Sequence, residues 1–126
     1  MRGTMFLYAV FSVKIGFVMN FIDFFSLSLH RAVAEKMITD EVEVLRIARN
    51  NLERWLKSPS FEGVERFALL EWQNILNNYR PDEIRRLMTA ETDDGQRLRS
   101  SSPFAGVLTR DERMGTWSTC AEVGLN

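Results

Sequence analysis

Chemistry in this chain would have to start from one histidine, His30, and one cysteine, Cys120. A thiolate activated by an imidazole is the centre such a pair forms when it meets. Here the two stand far apart in sequence, and Cys120 falls in a segment without helical patterning. The plainer reading is a polar residue near a helix start and a cysteine in a tail. One cysteine cannot close an internal disulfide, and one histidine with one cysteine excludes zinc sites built from several such ligands. A di-metal carboxylate site needs Glu-x-x-His pairs, and the residue three before His30 is Leu27.

Glu71 is the carboxylate that falls near an apolar helix stripe. A carboxylic acid buried there would have a raised pKa and would be able to act as an acid. The competing reading is a residue at the stripe's edge, paired with an arginine. The sequence has no Gly-x-Gly-x-x-Gly, no phosphate-cradling loop ending in Lys-Ser/Thr, no His-Glu-x-x-His, no EF-hand loop and no Gly-x-Ser-x-Gly elbow. No catalytic residue, metal ligand or small-molecule cofactor is expected.

The arginines come next. Arg46, Arg49 and Arg54 fall in one segment, Arg85 and Arg86 in another, and Arg97 and Arg99 follow. Glu41, Glu43, Glu53, Asp82 and Glu83 are interleaved with them, as on an ordinary solvated helix face. The chain has 16 basic and 17 acidic residues, a formal net charge of -1. No overall field draws it to nucleic acid, so DNA binding stands only as an alternative.

These groups would be positioned by helices. Leu29, Val33 and Met37 recur every four residues beside Ala34 and Ile38, which marks one apolar helix face. Asp40 with Glu43 reads as a capping box that starts a second helix carrying Val44, Leu45, Ala48, Leu52, Trp55 and Leu56. Ser58-Pro59 ends it. A third helix is predicted after a Ser60 cap, with the stripe Val64, Phe67, Ala68, Trp72, Ile75, Leu76 and Tyr79. Pro81 suits the first position of a fourth, whose inner face is Ile84, Leu87 and Met88. A short helical piece over Gln96 to Arg99 follows a turn at Asp93-Asp94-Gly95. Ser100 to Gly106 reads as loop, and Thr109 with Glu112 as another capping box. From about Arg113 no stripe develops. The expected fold is all-α, a small open bundle of about four helices over residues 28–112, with a poorly ordered tail over 113–126.

Residues 1–27 form an apolar N-terminal extension holding six of the nine phenylalanines. Residues 4–29 are long enough to span a membrane, although Lys14, Asn20 and Asp23 interrupt them. Arg2 before the run Met5 to Val13 fits a secretory signal, but the nearest small-x-small cleavage site, Ala32-Val33-Ala34, lies too far downstream. A later translation start, at Met19, and an apolar helix packed on the domain are the other readings.

The stretches His30-Arg31-Ala32-Val33-Ala34-Glu35-Lys36, Ala48 to Trp55, Glu71-Trp72 and Arg97 to Leu108 carry a resemblance. The chain resembles small uncharacterised bacterial helical proteins associated with toxin–antitoxin-type gene pairs, over about two thirds of its length. Arg97-Leu98-Arg99-Ser100-Ser101-Ser102-Pro103-Phe104-Ala105-Gly106-Val107-Leu108 is the most specific block. The resemblance implies a partner or regulatory role and identifies no active site. The chain departs from that pattern in its apolar leader and at Met114-Gly115-Thr116, where an apolar helical continuation is expected. A late start and an altered C-terminal reading frame fit both departures.

The expectation is therefore a cytoplasmic protein-interaction or regulatory module without catalytic activity, whose partner is another protein. Arg97, Arg99 and Phe104 are its expected contact residues, arginines and aromatics being the usual hot spots. For Phe104 the opposing expectation is a place in its own domain. A membrane-anchored helical protein and a DNA-binding regulator are the alternative functions.

Overall fold

The structure, a computed structural model, describes residues 20–125. It is all-helical: α1 spans Phe21–Leu56, α2 Val64–Asn78, α3 Pro81–Met88, α4 Asp93–Arg99 and α5 Arg110–Leu125. Helix α1 is the central strut, and each of the other four packs against it.

The two helices predicted on either side of Asp40 run on as one, with a kink where Asp40 leaves helical geometry (φ -125°, ψ 41°). The predicted capping box is not formed. Glu43 turns its carboxylate to Arg46, whose Nε and Nη2 donate at 2.9 and 2.6 Å. In a continuous helix the preceding turn supplies carbonyls to the N–H groups that a cap would otherwise satisfy. Both halves face one core: Val33 and Met37 before the kink, Val44, Ala48 and Leu52 after it. The helix ends at Leu56, just ahead of Ser58-Pro59.

Helix α2 starts at a Gly63 cap with φ +61°, a left-handed conformation that glycine adopts without strain; Ser60 is not the cap. Its buried residues are Leu69, Trp72, Ile75 and Leu76. Val64, Phe67 and Tyr79, predicted for the inner stripe, are exposed instead. The sequence carries apolar residues on two sides of this helix, and periodicity alone does not say which side meets the core.

Pro81 opens α3, and the Arg80 N–H donates to Glu83 Oε1 at 3.0 Å. Ile84 and Met88 are buried as predicted, with Leu87 packed partly against the core. Helix α4 begins at Asp93, earlier than the predicted Gln96, because Thr92 Oγ1 caps it by accepting the Gly95 N–H at 3.0 Å. Gly95 is where α4 closes on the end of α3: a Cβ there would sit 2.2 Å from the Ala90 carbonyl oxygen. Backbone must move to admit it, so Gly95→Ala is expected to lower stability by about 1–3 kcal/mol, measured as a fall in the urea midpoint at unchanged slope.

The predicted capping box at Thr109 and Glu112 is present in both directions, at 2.8 and 3.1 Å. The helix it starts continues through the residues expected to form a frayed tail, as far as Leu125. The reason lies at the other end of the chain. Trp117 meets the rings of Phe21 and Phe25 edge to face, with centroids 5.6 and 5.1 Å away, and Cys120 is buried. Neither segment has a sustained partner stripe of its own; each covers part of the other. The helical unit accordingly begins by Asn20, whose side chain caps α1 by accepting the Asp23 N–H at 2.9 Å, and not at residue 28. Among the described residues no helix is long and apolar enough to cross a membrane. Residues 4–19 of the segment considered for spanning, the signal-like run and Met19 lie outside the described residues.

Candidate functional site

The loop between α4 and α5 is tethered at several points, mostly from α1. Ser102 Oγ lies 2.6 Å from His30 Nε2, a contact across 72 positions of sequence. His30 Nδ1 lies 2.7 Å from the Ser26 carbonyl oxygen. A carbonyl only accepts, so Nδ1 carries the proton and Nε2 accepts from the serine hydroxyl. Two turns further along α1, Lys36 Nζ donates to Val107 O at 3.0 Å and to Glu112 Oε1 at 2.8 Å. Beyond the kink, the buried Asn51 amide donates to Pro103 O and Ala105 O at 2.9 and 2.8 Å, while its own oxygen accepts from Arg54 at 2.8 Å.

The pair of Ser102 and His30 has the hydrogen-bond pattern by which an imidazole takes a proton from a serine. Its electrostatics oppose that use. Burial drives the His30 pKa down from 6.5 to about 4, against the raising effect of the bond to Ser26; the nearby Arg99 charge lowers it further. The ring is neutral near pH 7 but a weak base there, and efficient general bases have a pKa close to the working pH. Its second nitrogen faces a backbone carbonyl where a catalytic dyad is normally oriented by a carboxylate. The pair holds the loop to α1. Glu112, bound by Lys36 and by the Thr109 backbone N–H, has its pKa lowered to about 2 and serves the same loop as a fixed anion.

Between α1 and this loop lies a pocket of about 300 Å³. Leu29, Val33, Phe104 and Leu108 give it apolar walls, and His30, Ser102 and Arg113 of α5 complete the lining. Among the described residues no group of three or more His, Cys, Asp or Glu side chains stands close enough to hold a metal ion.

The three residues singled out as partner contacts are placed differently. Phe104 is buried, edge to face with Trp72 at 5.4 Å and with His30 at 6.2 Å. It belongs to its own core, the opposing expectation for this residue. Arg99 is buried too, and its Nη1 donates to the carbonyls of Ala90 at 2.7 Å and Met88 at 3.4 Å, closing the end of α3. It presents no face to a partner. Arg97 is half-exposed but occupied: it grips Glu71 with Nη1 and Nη2 at 2.7 and 3.1 Å and Asp94 with Nε and Nη2 at 3.1 and 2.9 Å, which pushes its pKa up. Glu71 is thus the arginine-paired edge residue, not a buried acid. Arg46 and Arg86 likewise pair with acids of their own helices, and Arg49 donates to the Leu76 carbonyl at 3.0 Å.

Val64 and Phe67, expected in the inner stripe of α2, stand on its outer face together with Leu70. Val64 is 86% exposed, Phe67 72% and Leu70 43%. At three-residue spacing they form one apolar strip on the side opposite Leu69, Trp72 and Leu76. The signal was present as a helix with more apolar residues than one core face can take. Asn51, a polar residue between Ala48 and Leu52 on a buried stripe, was the corresponding signal for the loop clamp. Comparison of the chain with family models, with curated proteins and with solved structures gives no match.

Proposed function

We propose that this protein is a helical interaction module whose protein partner seats on the outer face of α2. The observation that carries this reading is the strip Val64, Phe67 and Leu70, which is apolar, exposed and backed by a rigid helix whose other face is locked in the core. Large apolar side chains aligned on one helix face, as opposed to scattered singly, mark interaction surfaces. Each contributes about 1.5–3 kcal/mol when fully buried, and a helix is a ready-made ridge for a partner's groove. The module works without catalysis on this reading. The weakly basic His30 and the absence of any carboxylate behind it support that. Its place of action is the cytoplasm, where a single cysteine stays reduced.

The resemblance to members of paired genes makes the product of the adjacent gene the partner to try first. Co-expressed with the tagged full chain, that product is expected to co-purify in a fixed stoichiometric ratio. Phe67→Asp is expected to weaken the complex by about 30-fold or more, the effect of losing an aromatic hot spot, while Asn50→Asp on the exposed side of α1 leaves it unchanged. A complex that tolerates Phe67→Asp and Leu70→Asp together, measured by titration of the purified components, overturns the assignment of this face.

A further inference from the structure

The pocket between α1 and the loop is apolar on most of its surface, and its walls include no Asp or Glu. One charged residue is part of its lining, Arg113. The other arginines near the loop are committed, Arg54 to Asn51 and Arg97 to Glu71 and Asp94. Arg113 makes only a long contact with the Leu108 carbonyl, at 3.5 Å, and no ion pair with any described residue. A guanidinium fork left without an acid and set beside apolar walls is matched by a planar anion that carries an apolar body. The volume, about 300 Å³, lies at the small end of the range for ligand sites. A long acyl chain or a nucleotide does not suit it.

From this geometry we infer that the pocket binds a small monocarboxylate: a short aliphatic chain lies against Leu29, Val33, Phe104 and Leu108, and its carboxylate reaches Arg113. The polar wall is compatible with that occupant. Ser102 gives its proton to His30 and so leaves recognition of the carboxylate to Arg113, and the neutral imidazole adds no second charge that would call for a dianion. The site shares no residue with the outer face of α2, so it stands or falls separately from the partner assignment.

Hexanoate is the probe, titrated into the full chain at pH 7 and followed by amide chemical shifts. Hexanol and hexylamine of equal chain length, and acetate, are the controls. Saturable shifts are expected at Leu29, Val33, Gly106 and Leu108, with hexanoate binding about tenfold or more tighter than hexanol, hexylamine or acetate. Arg113→Gln, an exposed substitution that removes only the charge, is expected to reduce hexanoate affinity by about tenfold and to leave hexanol unaffected. Shifts that never saturate, shifts that map elsewhere, equal binding of hexanol, or an Arg113→Gln protein that binds hexanoate unchanged would each overturn the inference.

Discussion

Trp72→Ala is expected to remove about 3–5 kcal/mol of stability, the usual cost of truncating a fully buried large aromatic. The indole has no exposed surface and stands edge to face with Phe104, which joins α2 to the interhelix loop. Its Nε1–H donates to the Leu98 carbonyl at 2.9 Å and so ties α2 to the end of α4. The hydrogen bond is the smaller part, about 1 kcal/mol, since the same carbonyl also accepts from the Ser101 backbone N–H at 3.2 Å. The larger part is the cavity left where α2 packs on Phe104 and the end of α4. A domain of this size has about 5–15 kcal/mol in total, so the variant would lie close to unfolding at room temperature. Urea denaturation followed by helical circular dichroism measures it. Trp72→Phe, which keeps a ring against Phe104 and loses the hydrogen bond, is expected to retain most of the difference. A loss below about 1 kcal/mol for Trp72→Ala would mean that the core does not centre on this residue.

The second large effect is a loss of stability in mild acid. His30 titrates at about 4 in the folded chain against 6.5 in its ordinary state. The unfolded chain therefore takes up a proton first as pH falls. The stabilising contribution of the neutral buried ring is complete above pH 6.5 and is lost progressively down to about pH 4, by about 3 kcal/mol in all. The protein has a single histidine, so the upper part of this window reports on one group. The carboxylates add their own loss lower down: Glu112, held near 2, weakens the fold as pH drops from 4.5 toward that value. Urea midpoints between pH 7.5 and 4.5 should fall steadily in the wild-type chain. In His30→Gln the slope across pH 6.5 to 4.5 should vanish, although the variant starts lower because Ser102 and Ser26 lose their shared partner. A wild-type profile that is flat above pH 4.5 would contradict the burial of the ring.

What could be read from the sequence was local chemistry. Pro81 at a helix start, Pro59 after a helix end and the reciprocal Thr109–Glu112 cap depend on neighbours a few positions away, and the structure has all three. The Asp40–Glu43 cap was equally local and failed, because Arg46 competed for the glutamate and the chain before Asp40 was already helical. Questions that depend on distant segments were not legible. Trp117 gives α5 a reason to persist only once Phe21 and Phe25 are known to lie beside it. Ser102 and His30 meet across most of the chain, and neither position suggests the other. Phe104 in a stretch that reads as loop, and Arg99 at the end of a short polar helix, resemble surface contacts, yet both are held inside by groups on α1, α2 and the end of α3. The misassigned face of α2 belongs to the same class: one helix with two apolar sides has no internal evidence for which side the core will choose.

That choice is open to direct measurement by comparing the unfolding free energies of Phe67→Asp and Leu69→Asp. The two positions lie on one helix, two residues apart, on opposite faces. With the strip turned outward, Phe67→Asp should change stability by no more than about 0.5 kcal/mol, whereas Leu69→Asp, which buries a carboxylate in the core, should cost several. A Phe67→Asp protein that is destabilised as severely as Leu69→Asp would place Phe67 in the molecule's own core and leave no apolar face on α2 for a partner.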